Sequence, residues 1–219
     1  MSFYNRRVFW LVIFILIVFL GPITVILNTS FNLSQNSDVL INIFQRIVGL
    51  TAFSLLFIQI ILGNYMEKWV QLIGGFAFRL HIVNGVFILL LVLVHPFLYF
   101  LSKTSDVKTF IKMIIFPQSE TIADVWVNFG RIALTLLVIG TTAGYYRTKP
   151  FFRNKWLLFH YFHYLAFAII SIHSYYIGTD VKSWPFYGLF MVANGVYLML
   201  IATKINLYKL IKGRLADDS

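Results

Sequence analysis

Four histidines sit inside hydrophobic stretches at nearly matched spacing. His81 and His95 bracket thirteen residues in HIVNGVFILLLVLVH, and His160 and His173 bracket twelve in HYFHYLAFAIISIH. An imidazole is costly in hydrocarbon unless it is bonded or coordinated, so four placed this way call for a ligand. Haem iron, held by one histidine on each side, suits them. The chain has no cysteine, which removes disulfides, thiol redox chemistry, iron–sulfur clusters and covalent haem attachment. Any haem is therefore non-covalent and b-type.

The elements that must position these residues follow from composition. Hydrophobic residues make up 59% of the 219 and charged residues only 12%, which excludes an ordinary soluble domain. A span needs roughly 20 apolar residues. Six windows qualify, at 8–28, 41–63, 78–101, 125–146, 156–178 and 184–205. The expected fold is an all-α integral membrane protein, with residues 1–219 forming one six-helix transmembrane bundle and the b haems between helices three and five. Its connections are short, and no chain is left over for a nucleotide-binding module. No internal repeat or linker is evident.

The net charge of +10 is a topology signal rather than a nucleic-acid signal. Arg6, Arg7, Lys68, Arg79, Arg147, Lys149, Arg153, Lys155, Lys204, Lys209, Lys212 and Arg214 fall on one side of a six-helix topology. On the other, Arg46, Lys103, Lys108, Lys112, Arg131 and Lys182 are balanced by Asp38, Asp106, Glu120, Asp124 and Asp180. By the positive-inside rule both termini are expected in the cytoplasm, with attraction to anionic lipid a secondary effect. The Asn5-Arg6-Arg7 start faintly resembles a twin-arginine export signal. The apolar run after it is about 20 residues long and has no clear cleavage site, so a retained first helix is expected.

Topology sorts the histidines by depth. Helices three and five both start on the cytoplasmic side. His95 then lies about 21 Å beyond His81, and His173 about 19.5 Å beyond His160. His81 with His160 is the expected inner pair, and His95 with His173 the outer pair. Helical angle agrees less well. Fourteen residues return to within roughly 40° of the same face, whereas thirteen miss by about 140°. Helix five must be locally distorted or turn its imidazoles differently. His163 lies three residues from His160 and close to its face, so it is open to a role as substitute inner ligand, propionate donor or packing residue.

Other residues carry weaker expectations. Arg46 and Arg131, near external helix ends, either snorkel to the interface or meet haem propionates. Arg79, Arg153 and Lys155 stand in the same relation to an inner haem, with orientation and lipid contact as the alternative. Asn84, Gly85 and Gly140 mark close helix approach. In the long connection from Ser102 to Asp124, the segment from Phe110 to Phe116 is too short to span. It is expected as a half-buried external helix or loop, for packing or as a lid.

The H-x13-H of helix three and H-x12-H of helix five, together with Trp156-Leu157-Leu158-Phe159-His160 and Tyr164, resemble the ferric reductase-like transmembrane domain superfamily. That group includes NADPH oxidases, metalloreductases and the haem-binding membrane subunit of the bacterial methionine sulfoxide reductase system. The resemblance implies that His81 and His160 bind an inner haem and His95 and His173 an outer one. The flavin- and NADPH-binding domain of the oxidases has no counterpart here, which implies an electron donor on a partner. The size resembles the methionine sulfoxide reductase subunit, but that subfamily tends to carry only the outer histidine of helix three.

Dinucleotide, Walker and H-E-x-x-H motifs are absent from the sequence, so the chemistry expected is that of two b-type haems. The reading is a transmembrane di-haem cytochrome taking electrons from a cytoplasmic flavin reductase or a quinol. Ferric iron, oxygen or a periplasmic oxidoreductase is the acceptor, and the expected location is the bacterial inner membrane. The alternative is a non-redox transporter or assembly subunit whose histidines bind a metal or bridge helices.

Overall fold

A computed structural model describes residues 3–30, 37–104 and 106–217, with side chains at all of these except 114 and 206–217. Lys209, Lys212 and Arg214 of the basic tail fall outside the described side chains. The described residues form helices α1 (Phe3–Leu27), α2 (Ser37–Asn64), α3 (Met66–Ile73), α4 (Phe76–Leu101), α5 (Val107–Ile115), α6 (Ile122–Tyr145), α7 (Trp156–His160), α8 (Phe162–Ile177) and α9 (Phe186–Asp217), with no strand among them. Six helical segments are long and apolar enough to cross a membrane, with α7 and α8 together making the fifth. Their limits lie within a few residues of the windows read from hydropathy. The exception is α9, which continues to Asp217, past the expected end at 205.

Two helix pairs carry the site. α2 packs along α4, and α6 packs along α8, more extensively than any other pairs. A buried aliphatic and aromatic core joins them, centred on Phe53, Leu56, Phe167, Phe186 and Phe190. Most other large apolar side chains point outward, as lipid-facing helices require. α1 is tied into this bundle by polar contacts. Thr24 Oγ1 accepts the Phe186 N–H at 3.0 Å, satisfying one of the donors left free at the start of α9. Arg7 Nε donates to the Ile73 carbonyl at 2.9 Å, at the C-terminal end of α3.

The long connection is an amphipathic helix, α5, followed by Pro117. Asp106 caps it by accepting the Thr109 N–H at 2.8 Å, and hydrogen bonding from the Thr109 side chain, then from its N–H, holds the exposed carboxyl below the usual range. Phe110 packs edge-on against Phe97 of α4, with ring centres 5.4 Å apart. Arg131 of α6 then grips the end of α5, donating to the Phe116 carbonyl at 2.7 Å and to that of Met113. A capping box between Thr121 and Asp124 starts α6 immediately afterwards.

Helix five is broken between its histidines. α7 ends at His160, Tyr161 forms the joint, and α8 begins at Phe162. The Tyr164 N–H bonds to the Tyr161 carbonyl at 3.0 Å, three residues back, where an α-helix would use His160, four back. This tighter step turns the chain by about 120° per residue instead of about 100°. The register is thereby changed between His160 and His173.

Candidate functional site

Each of the four spaced histidines faces a glycine on the neighbouring helix. Gly49 and Gly63 of α2 oppose His95 and His81, and Gly130 and Gly144 of α6 oppose His173 and His160. A Cβ at Gly49 would fall 2.6 Å from His95 Cε1, and one at Gly130 would fall 2.9 Å from His173 Cε1. At Gly63 and Gly144 the nearest imidazole atom would be 3.3 Å away. The two glycines of each helix are fourteen positions apart, the same interval as His81 to His95.

The reason for these glycines is a carbonyl one turn earlier. Side chains on a helix lean toward its N-terminus, so the residue at i+4 covers the carbonyl of residue i. A glycine there uncovers it. His95 Nδ1 lies 3.0 Å from the Gln45 carbonyl, four residues before Gly49. His173 Nδ1 lies 2.7 Å from the Trp126 carbonyl, four before Gly130. His160 Nδ1 lies 3.4 Å from the Gly140 carbonyl, four before Gly144. A carbonyl only accepts, so the hydrogen is on Nδ1 and the lone pair on Nε2 in all three.

His81 departs from this pattern in one respect. The Gln59 amide lies 3.3 Å from its Nε2 and donates to its backbone carbonyl at 2.9 Å. Asn84 donates to Gln59 Oε1 at 2.8 Å and so fixes that amide. Donation by Gln59 again leaves the hydrogen on Nδ1, and this Nδ1 is buried without a hydrogen-bond partner. Gln45 repeats the arrangement at the other level, with its amide 3.4 Å from His95 Nε2. A group bonding to Nε2 of either histidine displaces a glutamine that three rotatable bonds can move.

The structure places the histidines in two groups. The His81 and His160 ring centres are 6.3 Å apart. His95 and His173 line one cavity of about 390 Å³ between α2, α4, α6 and α8. At its rim the expected propionate partners have different fates. Arg46 forms a two-pronged bond to Asp180, with both contacts at 2.6 Å. Asn28 adds a bond at 3.0 Å. Burial acts to raise the Asp180 carboxyl, but the bonds from Arg46 and Asn28, the Arg46 charge and Thr179 together bring it below the usual carboxylate range. Arg46 is thus committed to protein. Arg131 also lines the cavity, and its Nε is buried with no partner.

Gly140 does mark a close approach, facing the ring of His163. Asn84 and Gly85 surround Gln59, whose part in the site the residue types alone did not suggest. Nor do residue types alone single out the glycines at 49, 63, 130 and 144, or the short repeat Gln45-x3-Gly49 and Gln59-x3-Gly63. Their fourteen-residue interval was the available signal. Among the described residues no group of three or more His, Cys, Asp or Glu is placed to hold a metal ion by itself. Comparison with protein-family models, with curated proteins and with solved structures found no match to this chain.

Proposed function

We propose that this chain is a transmembrane di-haem b-type cytochrome of the ferric reductase-like kind. In this reading electrons pass from a cytoplasmic flavoprotein or a quinol to an acceptor on the other side. The observation that carries the reading is the arrangement repeated at both levels: an imidazole from α4, an imidazole from the α7–α8 arm, and a glycine facing each. Bound haem would supply one-electron chemistry that none of the side chains offers.

The residues present suit such a group. His81 and His160 bring two imidazoles to ring centres 6.3 Å apart, a pair that would hold the iron of a bis-histidine b-type haem. Nδ1 donation to a carbonyl fixes the tautomer and raises the basicity of Nε2, which is the usual support for a ligating histidine. The unpartnered Arg131 Nε offers a buried donor to a carboxylate at the cavity of His95 and His173. His81 and His160 would hold the inner haem, and His95 and His173 the outer one. Positive-inside charge supports cytoplasmic termini and, in a bacterium, placement in the inner membrane.

The test is a pyridine haemochrome count on protein purified in detergent after haem-sufficient expression. Two b haems per chain are expected, and none would end the proposal in favour of a non-redox membrane protein. Stopped-flow reduction by a flavin reductase with NADPH, and separately by a quinol, then identifies the class of donor.

A further inference from the structure

His163 is a third imidazole beside the His81 and His160 pair, with its ring centre 4.6 Å from that of His160. Its Nδ1 donates to the His160 carbonyl at 2.7 Å, and its Nε2 accepts from Thr141 Oγ1 at 3.2 Å. Both ring nitrogens therefore have protein partners. The ring fits a notch in α6 where a Cβ at Gly140 would fall 2.5 Å from its Cε1.

The carbonyl that His163 holds is the one released by the helix break. With the Tyr164 N–H turned to Tyr161, the His160 carbonyl needs another donor, because an unpaired carbonyl in an apolar interior is costly. Without that donor the cheapest repair is a continuous helix, with Tyr164 returned to His160. A continuous helix sets two residues thirteen apart about 140° out of register. His160 and His173 would then no longer face α4 together.

We infer that His163 is a positioning residue, which braces the break at Tyr161 by hydrogen bonding to the His160 carbonyl and so turns His160 toward His81. The inference rests on the di-haem reading for its spectroscopic readout, but a second readout stands without it. Asn places an amide donor where His has Nδ1, Gln places one near the position of Nε2, and Leu has neither. His163→Asn, His163→Gln and His163→Leu are compared in the full-length chain by haem count and low-temperature EPR. The absence of cysteine also permits nitroxide labels at Leu158→Cys and Ile172→Cys, both exposed side chains, to report the angle between α7 and α8 by pulsed EPR.

The expected result is that His163→Leu and His163→Gln fall from two haems to one, with the outer signal unchanged and the label distance shifted, while His163→Asn keeps both haems and the original distance. The retained outer signal reports that the variants fold. Loss of the inner haem in all three variants with an unmoved label distance would make His163 a ligand and overturn the inference. So would His163→Leu with two haems and an unmoved distance. Wild-type protein without haem ends the di-haem reading, and the label distances still decide the brace.

Discussion

The two histidine levels use the same parts and secure them differently. At the level of His95 and His173 both imidazoles donate to helix carbonyls at 3.0 and 2.7 Å, and the rings line a shared cavity whose lining also includes Arg131 and the Arg46–Asp180 pair. At the level of His81 and His160 the backbone ties are long or missing. Side chains surround that pair instead, Gln59 with Asn84 beside His81 and His163 with Thr141 beside His160. A carbonyl in a helix ladder is nearly immobile, whereas a chain of amides and imidazoles can repack. The first level is fixed by backbone, the second by a polar network.

On the di-haem proposal, the largest effects should come from the proposed ligands. His95→Leu or His173→Leu should reduce the haem count from two to one and leave the inner signal intact. Loss of both haems, or of neither, would break the division into levels.

Asp180 comes next. Its side chain is 3% exposed, and removing one partner of a buried ion pair typically costs about 3–5 kcal/mol. Asp180→Asn should lower stability by that order in reversible detergent unfolding, with the outer haem released before the inner. The pair also gives a pH signature. The folded Asp180 carboxyl lies below its ordinary value, so its stabilisation is complete above the ordinary carboxylate range and is lost as pH falls through the lowered folded value. Acidification should therefore loosen the wild-type outer level and leave Asp180→Asn comparatively unaffected. Equal acid sensitivity in the two proteins would rule this out.

The glycines give a finer comparison. Gly49→Ala and Gly130→Ala put a Cβ within 2.6 and 2.9 Å of an imidazole, an overpacking of about 1–3 kcal/mol. Gly63→Ala and Gly144→Ala meet theirs at 3.3 Å, and less than about 1 kcal/mol is expected. Haem retention across the four variants measures the contrast, and a uniform loss would remove it. The smallest effect belongs to Asp106→Ala, which deletes the α5 cap at about 1 kcal/mol. Protease cleavage within 107–115 should quicken without change in the inner signal.

Much of the fold was legible because hydrocarbon is an unforgiving solvent. It requires apolar runs of fixed length, and six appear where composition placed them. The matched spacing of the histidines, and the need for either a local distortion of helix five or differently turned imidazoles, also followed from residue spacing and helix pitch. The identity of that distortion did not, since the break at Tyr161 and the bond from His163 to the His160 carbonyl across the joint are seen only in the folded chain. Residue type and position leave Arg46 either snorkelling to the interface or meeting a propionate. Its partner Asp180 is 134 residues away in sequence, and only folding brings the two together.

The sequence by itself determined the membrane-spanning elements and the spacing of the histidines along them, because each depends on local composition and a fixed rise per residue. Tertiary structure alone decided which nitrogen of His95, His160 and His173 is available. That choice belongs to a carbonyl on a neighbouring helix and to the glycine, one turn further on, that leaves it uncovered. Neither is adjacent in sequence to the histidine it governs. The bond exists only once two helix surfaces meet in register.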